Sequence, residues 1–171
     1  HNRAIECRGY ERDDGLWDIE GHLMDTKTFD TTTRDTGRVR PAGEAVHNMW
    51  LRLTIDLEME IHDAEAMTDN GPYLICGNIT PNFKALKGIK IGAGWRKKIY
   101  AVLGGTMGCT HLVELLGPVG TTAYQATGRA REKYNAGKPI TKKPYHINSC
   151  HVYNDDGPVV KVRWPQFYNG K

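Results

Sequence analysis

Acidic, basic and histidine side chains are concentrated between residues 10 and 30, where the sequence reads YERDDGLWDIEGHLMDTKTFD. Glu20 and His22 are two residues apart, so on an extended strand both side chains lie on one face. A carboxylate beside an imidazole is suited to general acid-base chemistry. Asp25 and Lys27 have the same spacing on the opposite face and are expected to pair there. The stretch therefore predicts a titratable, catalytic site on a β-strand.

Two interpretations of this stretch remain open. Trp17, Ile19 and Leu23 alternate through it, which predicts one buried face and makes Asp25 a buried, partnered charge. For any single residue, cross-strand ion pairs on a solvated face are the slightly favoured explanation. The density of the cluster as a whole favours a site. Tyr10 and Arg12 lie on the preceding strand and are expected to contribute to substrate binding.

A second candidate is the sequence Gly108-Cys109-Thr110-His111, at the start of a predicted helix. A thiol at a helix N-terminus has a lowered pKa, which suits a nucleophile or a ligand-binding group. A small buried cysteine is the alternative for Cys109, and it is favoured. His111 is a candidate base, and Glu114 lies on the same helical face, where it is expected to orient the ring.

A metal site is a third possibility. The candidate ligands are Cys76, Cys109, Cys150, His22, His47 and His111. Their sequence spacing contains no ligand pair typical of zinc sites, and no phosphate-binding glycine motif is present. The sequence thus favours a site without a metal or an organic cofactor.

Aromatic residues are more often core than ligand-binding, but Trp50 is an exception. It falls with Arg52 on the polar side of a predicted strand, where the two would form a pocket wall and bind substrate. Arg52 or Lys27 is expected to stabilise developing negative charge.

The alternation of apolar and polar residues predicts an antiparallel meander in the first 70 residues. Asp13-Asp14-Gly15 predicts a tight turn between its first two strands. A Thr-, Arg- and Gly-rich segment is expected to form a long mobile loop that covers the site. The predicted strands are Arg3–Arg12, Leu16–Thr28, 48–57 and Glu60–Met67, and the predicted loop is Thr31–Glu44.

Helical patterns follow, in which glycines and prolines mark the ends. Gly117-Pro118 predicts a bend or an end in the third helix. Residues 128–144 are polar and basic and predict an irregular segment, and two last strands joined by Asn154-Asp155-Asp156-Gly157 predict a terminal hairpin. The predicted helices are Pro81–Lys87, one from Gly94 to Gly104-Gly105 and one from Thr110, and the last two strands are His146–Tyr153 and Val159–Trp164.

The expected fold is α+β: an antiparallel β-meander of four or more strands packed against about three helices, with a C-terminal β-hairpin. A length of 171 residues fits a single domain. Within it we expect a β-rich half at about 1–70, a helical half at about 72–127, and a basic irregular segment with the hairpin at 128–171.

The amino-acid composition restricts the partners and the cellular location that we expect for the protein. The chain is 39% hydrophobic and 25% charged, and no apolar run approaches the ~20 residues of a membrane span. Basic residues are concentrated after residue 128 without a dense run or nucleic-acid motif, so neither a membrane nor nucleic acid is expected as a partner. Four scattered cysteines predict reduced thiols and a cytoplasmic protein. A homo-oligomer is possible.

Several phrases together resemble the bacterial DUF2889 family of uncharacterised proteins. They are GYERDDGLWDIEGHLMDTK (9–27), HNMWLRLTID (47–56), EAMTDNGPYLICGNITPNFKALKGIKIGAGW (65–95), GGTMGCTHLVELLGPVGTTAYQ (104–125) and INSCHVYNDDGPVVKVRWP (147–165). The resemblance covers most of the chain. It implies an aromatic or phenolic substrate, because such proteins are associated with bacteria that degrade aromatic compounds.

The sequence therefore predicts a small-molecule enzyme of lyase or isomerase type that performs elimination or carbon-carbon cleavage by proton transfer. His22 or His111 is the expected base, and Glu20 or Asp25 is expected to orient it. A metal-dependent enzyme and a non-catalytic ligand-binding module are the alternatives.

Overall fold

Four long strands form one antiparallel sheet in the computed structural model, which describes residues 1–170. The strands are β1 (Asn2–Glu11), β2 (Trp17–Thr26), β5 (Ala45–Ile55) and β6 (Ile61–Asn70), in the spatial order β1-β2-β5-β6. Each strand neighbours the one before it in this series, so the predicted meander is confirmed. The α+β class is confirmed as well.

The β1–β2 hairpin turns at Asp13-Asp14-Gly15, as the sequence predicts. The Arg12 N–H donates to the Leu16 carbonyl at 2.9 Å, and Gly15 has a φ of 82°. That left-handed conformation favours glycine. The turn fixes the register of β1 on β2, which pairs Arg3 with Asp25.

The segment predicted as a long loop contains a small hairpin of its own. Strand β3 (Thr31–Thr32) pairs with β4 (Val39–Arg40). Local sequence explains this hairpin. Threonine and valine favour extended backbone, and Gly37 adopts a φ of 67° in the turn. The β3–β4 hairpin thus has a defined backbone where the sequence suggested none.

Helices cover one face of the main sheet. A 3₁₀ helix (Leu74–Leu86) packs against β6, α1 (Trp95–Leu103) packs against the 3₁₀ helix, and α2 (Thr110–Tyr134) crosses β1, β2 and β5. Gly77 and Pro81 explain why the Leu74–Leu86 segment forms a 3₁₀ helix, since both residues weaken an α-helix. A one-turn 3₁₀ helix (Gly105–Met107) joins α1 to α2.

Helix α2 does not end at Gly117-Pro118, contrary to one of the two outcomes the sequence left open. A proline inside a helix costs roughly 3 kcal/mol. The buried stripe of α2 offsets that cost, because fully burying one leucine contributes about 1.5–3 kcal/mol. Leu112, Leu115, Leu116, Val119 and Ala123 are all 0% exposed. The helix extends to Tyr134, so the predicted irregular segment is wrong for residues 128–134.

The core lies between α2 and the sheet face that carries Ile19 and Leu23, both 0% exposed. Gly21 lies between these two residues on the same face. A Cβ atom there would lie 2.5 Å from Val119 Cγ2, so glycine allows α2 to approach β2 closely. The face of β2 that meets the helices is therefore the one that also carries Asp25.

A second compact unit begins at Asn135. It contains α3 (Pro158–Arg163) and one-turn 3₁₀ helices at His151–Tyr153 and Pro165–Phe167, around a small core of Ile147, Val160 and Trp164. The predicted C-terminal hairpin is wrong. Pro158 is fixed in φ and starts a helix at its N-terminus, and Asn148 has a φ of 67°, which interrupts an extended strand.

The prediction that the chain forms a single domain is not tested by these observations.

No helix among residues 1–170 combines the length and the apolar character required to cross a bilayer.

Candidate active site

A buried carboxylate, Asp25, lies at the centre of the candidate site. Its side chain is 0% exposed, and it is on the helix-facing side of β2. The sheet register places Arg3 of β1 on one side of it and His47 of β5 on the other. Three neighbouring strands thus align three ionisable side chains in one row. The expectation that Asp25 is a buried, partnered charge is confirmed.

Arg3 binds Asp25 through two parallel hydrogen bonds. Its Nε donates to Oδ1 and its Nη2 donates to Oδ2, each at 2.8 Å. Its Nη1 donates to Glu114 Oε2 of α2 at 2.7 Å. The hydrogen bond to Asp25 raises the pKa of Arg3. Burial acts to raise the pKa of Asp25, but the bond to Arg3 and its charge outweigh burial and leave this pKa below its ordinary value. Asp25 is therefore an ionised carboxylate at neutral pH.

His47 forms the second pair with Asp25. Its Nδ1 lies 2.9 Å from Asp25 Oδ2, and its side chain is 11% exposed. Burial lowers the pKa of His47, and nearby His111 lowers it further, although Asp25 opposes both. The ring is therefore neutral at pH 7. An ionised carboxylate accepts the Nδ1–H, so the Nε2 atom carries the free lone pair.

His111, from the first turn of α2, lies against His47. The two ring centroids are 3.9 Å apart, and the ring planes are tilted by 30°. Burial is the main cause that lowers the pKa of His111, and the charge of Arg3 adds to it. Cys109 Sγ lies 3.9 Å from His111 Nδ1, and Thr110 Oγ1 lies 3.5 Å from it, so both contacts are long.

Two further side chains belong to this group. His1 Nε2 lies 3.3 Å from Asp25 Oδ1, whereas His47 contacts the other oxygen, Oδ2. Glu114 does not orient His111 as the sequence suggested, because its carboxylate binds Arg3. We call the set His1, Arg3, Asp25, His47, Cys109, His111 and Glu114 the inner cluster.

Three members of the inner cluster could hold a metal ion together. Asp25, His47 and His111 each offer one ligand atom, and these atoms lie within 4.8 Å of one another. Two imidazoles and a carboxylate suit zinc and other divalent transition metals. Arg3 works against this use, since it already binds both oxygens of Asp25 and a cation there would repel a metal.

His22 and Glu20 lie on the other face of the sheet and do not form the expected pair. His22 Nε2 lies 2.5 Å from Asn48 Oδ1, and its ring stacks on Trp50 with centroids 3.7 Å apart. Glu20 lies on the same face across from Arg52. Trp50 donates from its indole N–H to Asp69 at 2.9 Å. The period-two rule separates these residues from Asp25, because even and odd positions of β2 point to opposite faces.

The other predicted site residues lie apart from the inner cluster as well. Lys27 follows the end of β2 and places its ammonium 6.0 Å from the Phe29 ring, so the predicted Asp25–Lys27 pair is wrong. Arg12 binds Asp14 and Asp18, Arg52 binds Glu65, and Tyr10 is 44% exposed on the face of His22. Of the ten predicted residues, Asp25, His111 and Cys109 come together.

A wide open groove of about 780 Å³ lies on the outer face of the sheet, beside Trp50. Trp50 and Met67 form its apolar part on the sheet, and Thr80 and Pro81 line it from the 3₁₀ helix. Arg52, Glu65 and Lys84 form its charged rim. Arg52 with Glu65 and Lys84 with Asp63 are paired ions. The groove therefore has a ligand-sized volume, but its charges neutralise one another.

The sequence pattern missed Arg3 as a site residue, and it proposed His47 only as a possible metal ligand, not as the partner of Asp25. The pairing register of the strands is the feature that identifies both residues as partners of Asp25. Once Asp25 is placed on the buried face, the Asp13-Asp14-Gly15 turn pairs it with Arg3. The β2–β5 pairing then places His47 opposite it. Neither pairing is visible from composition or from spacing within a single strand.

Fold and site together define an α+β protein with an ionised carboxylate, two neutral histidines and a guanidinium under the helices of a four-stranded meander. The chain belongs to the family described as protein of unknown function (DUF2889), whose model matches residues 1–125. That range contains the inner cluster, while the resembling phrase at 147–165 lies outside it. No curated protein and no solved structure matches the chain.

The lowered pKa values of His47 and His111 predict a loss of stability in mild acid. The unfolded chain, with ordinary histidine pKa values near 6.5, binds these protons at higher pH than the native state does. The free energy of unfolding should therefore fall as the pH drops below about 6.5. Urea unfolding midpoints at about pH 7.5 and about pH 5.5 measure this effect.

The matched comparison is the double variant His47→Gln/His111→Gln against His22→Gln on the outer face. The double variant should lose part of the midpoint difference between the two pH values, and His22→Gln should keep it. An unchanged difference in the double variant would contradict the assignment.

Proposed function

We propose that the chain is a small-molecule enzyme that works by proton transfer at the inner cluster, without an organic cofactor. The observation that carries the proposal is the Asp25–His47 hydrogen bond of 2.9 Å, with His111 in ring contact beside it. A buried carboxylate that holds a neutral imidazole by one nitrogen prepares the other nitrogen as a base.

His47 is the base in this proposal. Its Nε2 accepts a proton from a substrate C–H or O–H group, and the electron pair left on the substrate expels a leaving group or cleaves the adjacent carbon-carbon bond. Asp25 stabilises the imidazolium that forms, since its charge raises the pKa of His47. The proton then passes from His47 to the leaving group, which restores the neutral ring, and His111 is the adjacent imidazole that assists this second transfer.

Arg3 has a positioning role. Its two bonds hold both Asp25 oxygens in place, and its third bond ties the carboxylate to α2 through Glu114. Such support fixes the direction in which Asp25 presents its oxygen to His47, which acid-base catalysis requires. Substituting Arg3 should therefore weaken turnover without removing a reacting group.

A lyase-type reaction on an aromatic or phenolic substrate is part of the same proposal. It rests on the expectation of an aromatic or phenolic substrate that the family resemblance implies and on the proton-transfer character proposed for the site. A cytoplasmic location is proposed as well, since all four cysteines are free thiols, which fits a reducing compartment.

The test is a turnover screen of phenolic and aryl compounds that carry a leaving group next to an acidic C–H bond. Elimination creates a conjugated product, so the change in ultraviolet absorbance reports the reaction. His47→Ala and His111→Ala should each reduce kcat by roughly 10²-fold or more. His22→Ala, on the opposite face, is the matched control and should keep its turnover. Full turnover in both inner variants would overturn the proposal.

A metal-dependent enzyme is the second candidate. It is favoured by one observation, the three ligand atoms of Asp25, His47 and His111 within 4.8 Å of one another. Elemental analysis of the purified chain separates the two candidates. About one equivalent of a transition metal, lost in His47→Ala and His111→Ala but kept in His22→Ala, would favour the metal enzyme. A metal-free protein with turnover favours proton transfer by His47 and His111 without a metal.

A further inference from the structure

A second, smaller cavity lies between the β3–β4 hairpin and the chain that follows β6. Its volume is about 280 Å³, room for roughly nine water molecules at ≈ 30 Å³ each. Thr33 and Arg40 line it from the hairpin, and Thr68 and Gly71 line it from β6 and the residues after it. The inner cluster contributes no residue to this lining.

Three polar atoms of the cavity lining are buried without a hydrogen-bond partner among the described residues. They are Thr33 Oγ1, Arg40 Nε and Thr68 Oγ1. Arg40 is only 5% exposed and Thr33 only 8% exposed. A buried polar group without a partner costs roughly 1–3 kcal/mol, and native proteins contain few of them. Three such atoms in the lining of one cavity offer hydrogen-bonding capacity that the described residues do not use.

The other contacts of Arg40 leave its Nε–H free to donate. Its Nη2 donates weakly to the Gly71 carbonyl at 3.3 Å. Its Nε lies 3.7 Å from Glu44 Oε1, which is an ion-pair distance but too long for a hydrogen bond. Glu44 itself accepts a hydrogen bond of 2.7 Å from Arg38. Arg40 is thus held in the cavity wall by charge and still has an unused donor.

The hydrogen-bonding character of these three unpaired atoms indicates which class of ligand fits the cavity. An arginine Nε–H only donates, and a threonine hydroxyl can donate, so the three together suit an oxygen acceptor. The acidic side chain in the lining, Asp69, already accepts from Trp50 at 2.9 Å. Glu44, beside Arg40, is shared between two arginines. Planar guanidinium groups bind carboxylate and phosphate oxygens well.

We propose that the Thr33–Arg40–Thr68 cavity is a binding site for the oxyanion group of a small molecule, a carboxylate or a phosphate. Arg40 Nε donates to one oxygen of that group, and the hydroxyls of Thr33 and Thr68 donate to the others. The site consists of residues outside the inner cluster, so it stands whether or not the proposed enzyme mechanism is right.

Calorimetric titration of the full chain with benzoate, acetate and inorganic phosphate, at fixed ionic strength against a chloride blank, tests the site. Saturable binding of one of these anions is expected. Arg40→Lys, Thr33→Val and Thr68→Val should each raise Kd roughly tenfold or more, the loss of about one charge-assisted hydrogen bond. Benzoate or acetate binding alone identifies a carboxylate site, and phosphate binding alone a phosphate site.

Arg34→Lys is the matched control, because Arg34 is exposed in the same hairpin and does not line the cavity. It should bind the anion as the unchanged protein does. The Nε–H resonance of Arg40 provides a second measurement that needs no variant, and it should shift on titration. No saturable binding of any anion, or binding that all three variants keep, would overturn the proposal.

Discussion

Replacing Asp25 by alanine is expected to lower the free energy of unfolding by roughly 3 kcal/mol, the low end of the cost of breaking a buried ion pair. The carboxylate is 0% exposed, and its removal leaves the Arg3 guanidinium facing a protein interior. Arg3 is 30% exposed and keeps Glu114, which limits the loss. The Nδ1–H of His47 also loses its acceptor. Urea unfolding at neutral pH measures the change.

Asp63→Ala is the matched control for that experiment. Asp63 also lies on the main sheet and pairs with Lys84 at 2.9 Å, but these two side chains are 46% and 56% exposed. Exposed pairs contribute roughly 0–1 kcal/mol, because solvent screens them. Equal losses in the two variants would contradict the assignment of Asp25 as the buried charge of the sheet.

The strand pattern of this fold could be predicted because each strand depends on local alternation. Met49, Leu51 and Leu53 alternate with polar residues, and all three are buried under the helices. The turn before β2 could also be predicted from local sequence, since its left-handed backbone conformation favours glycine at position 15. The prediction of a C-terminal hairpin was wrong because it also depended on local pattern. The valines between residues 159 and 162 are typical of a strand, but Pro158 starts a helix there.

The candidate site could be predicted only in part, since its members come from four distant parts of the chain. Asp25 followed from the period-two pattern of β2, and His111 from its place at a helix start. Arg3 and His47 are recognised as partners of Asp25 only through cross-strand register, which is set by tertiary pairing. The sequence alone could not separate His22 from the histidines of the inner cluster, because it does not say which face of the sheet the helices cover.

The two faces of β2 show how the same residue types take different roles. On the inner face, burial lowers the pKa of His47 and removes competing water, so its pairing with Asp25 has a strong electrostatic effect. On the outer face, His22 stacks on the half-exposed Trp50 and meets a neutral amide. A carboxylate partner and helix cover, rather than the imidazole itself, distinguish the candidate base.

Replacing Asp25 by asparagine is the sharpest test of the proposed chemistry, and it should reduce kcat by roughly 10²–10⁴-fold. The amide has nearly the shape of the carboxylate but has no charge to stabilise a protonated His47. An amide N–H turned toward Nδ1 would also place the ring proton on Nε2, the atom proposed as the base. KM should change far less than kcat, because Asp25 is proposed to act through His47.

Nuclear magnetic resonance titration of His47 gives a result that needs no substrate. The charge of Asp25 raises the pKa of His47, so this pKa should fall further in Asp25→Asn. Asp69→Asn is the matched control, because Asp69 accepts from Trp50 on the outer face and should leave both kcat and the His47 pKa unchanged. A folded Asp25→Asn protein with unchanged kcat and an unchanged His47 pKa would remove Asp25 from the mechanism. A lowered pKa with unchanged kcat would keep the Asp25–His47 pair but move the base elsewhere, with His111 the next candidate.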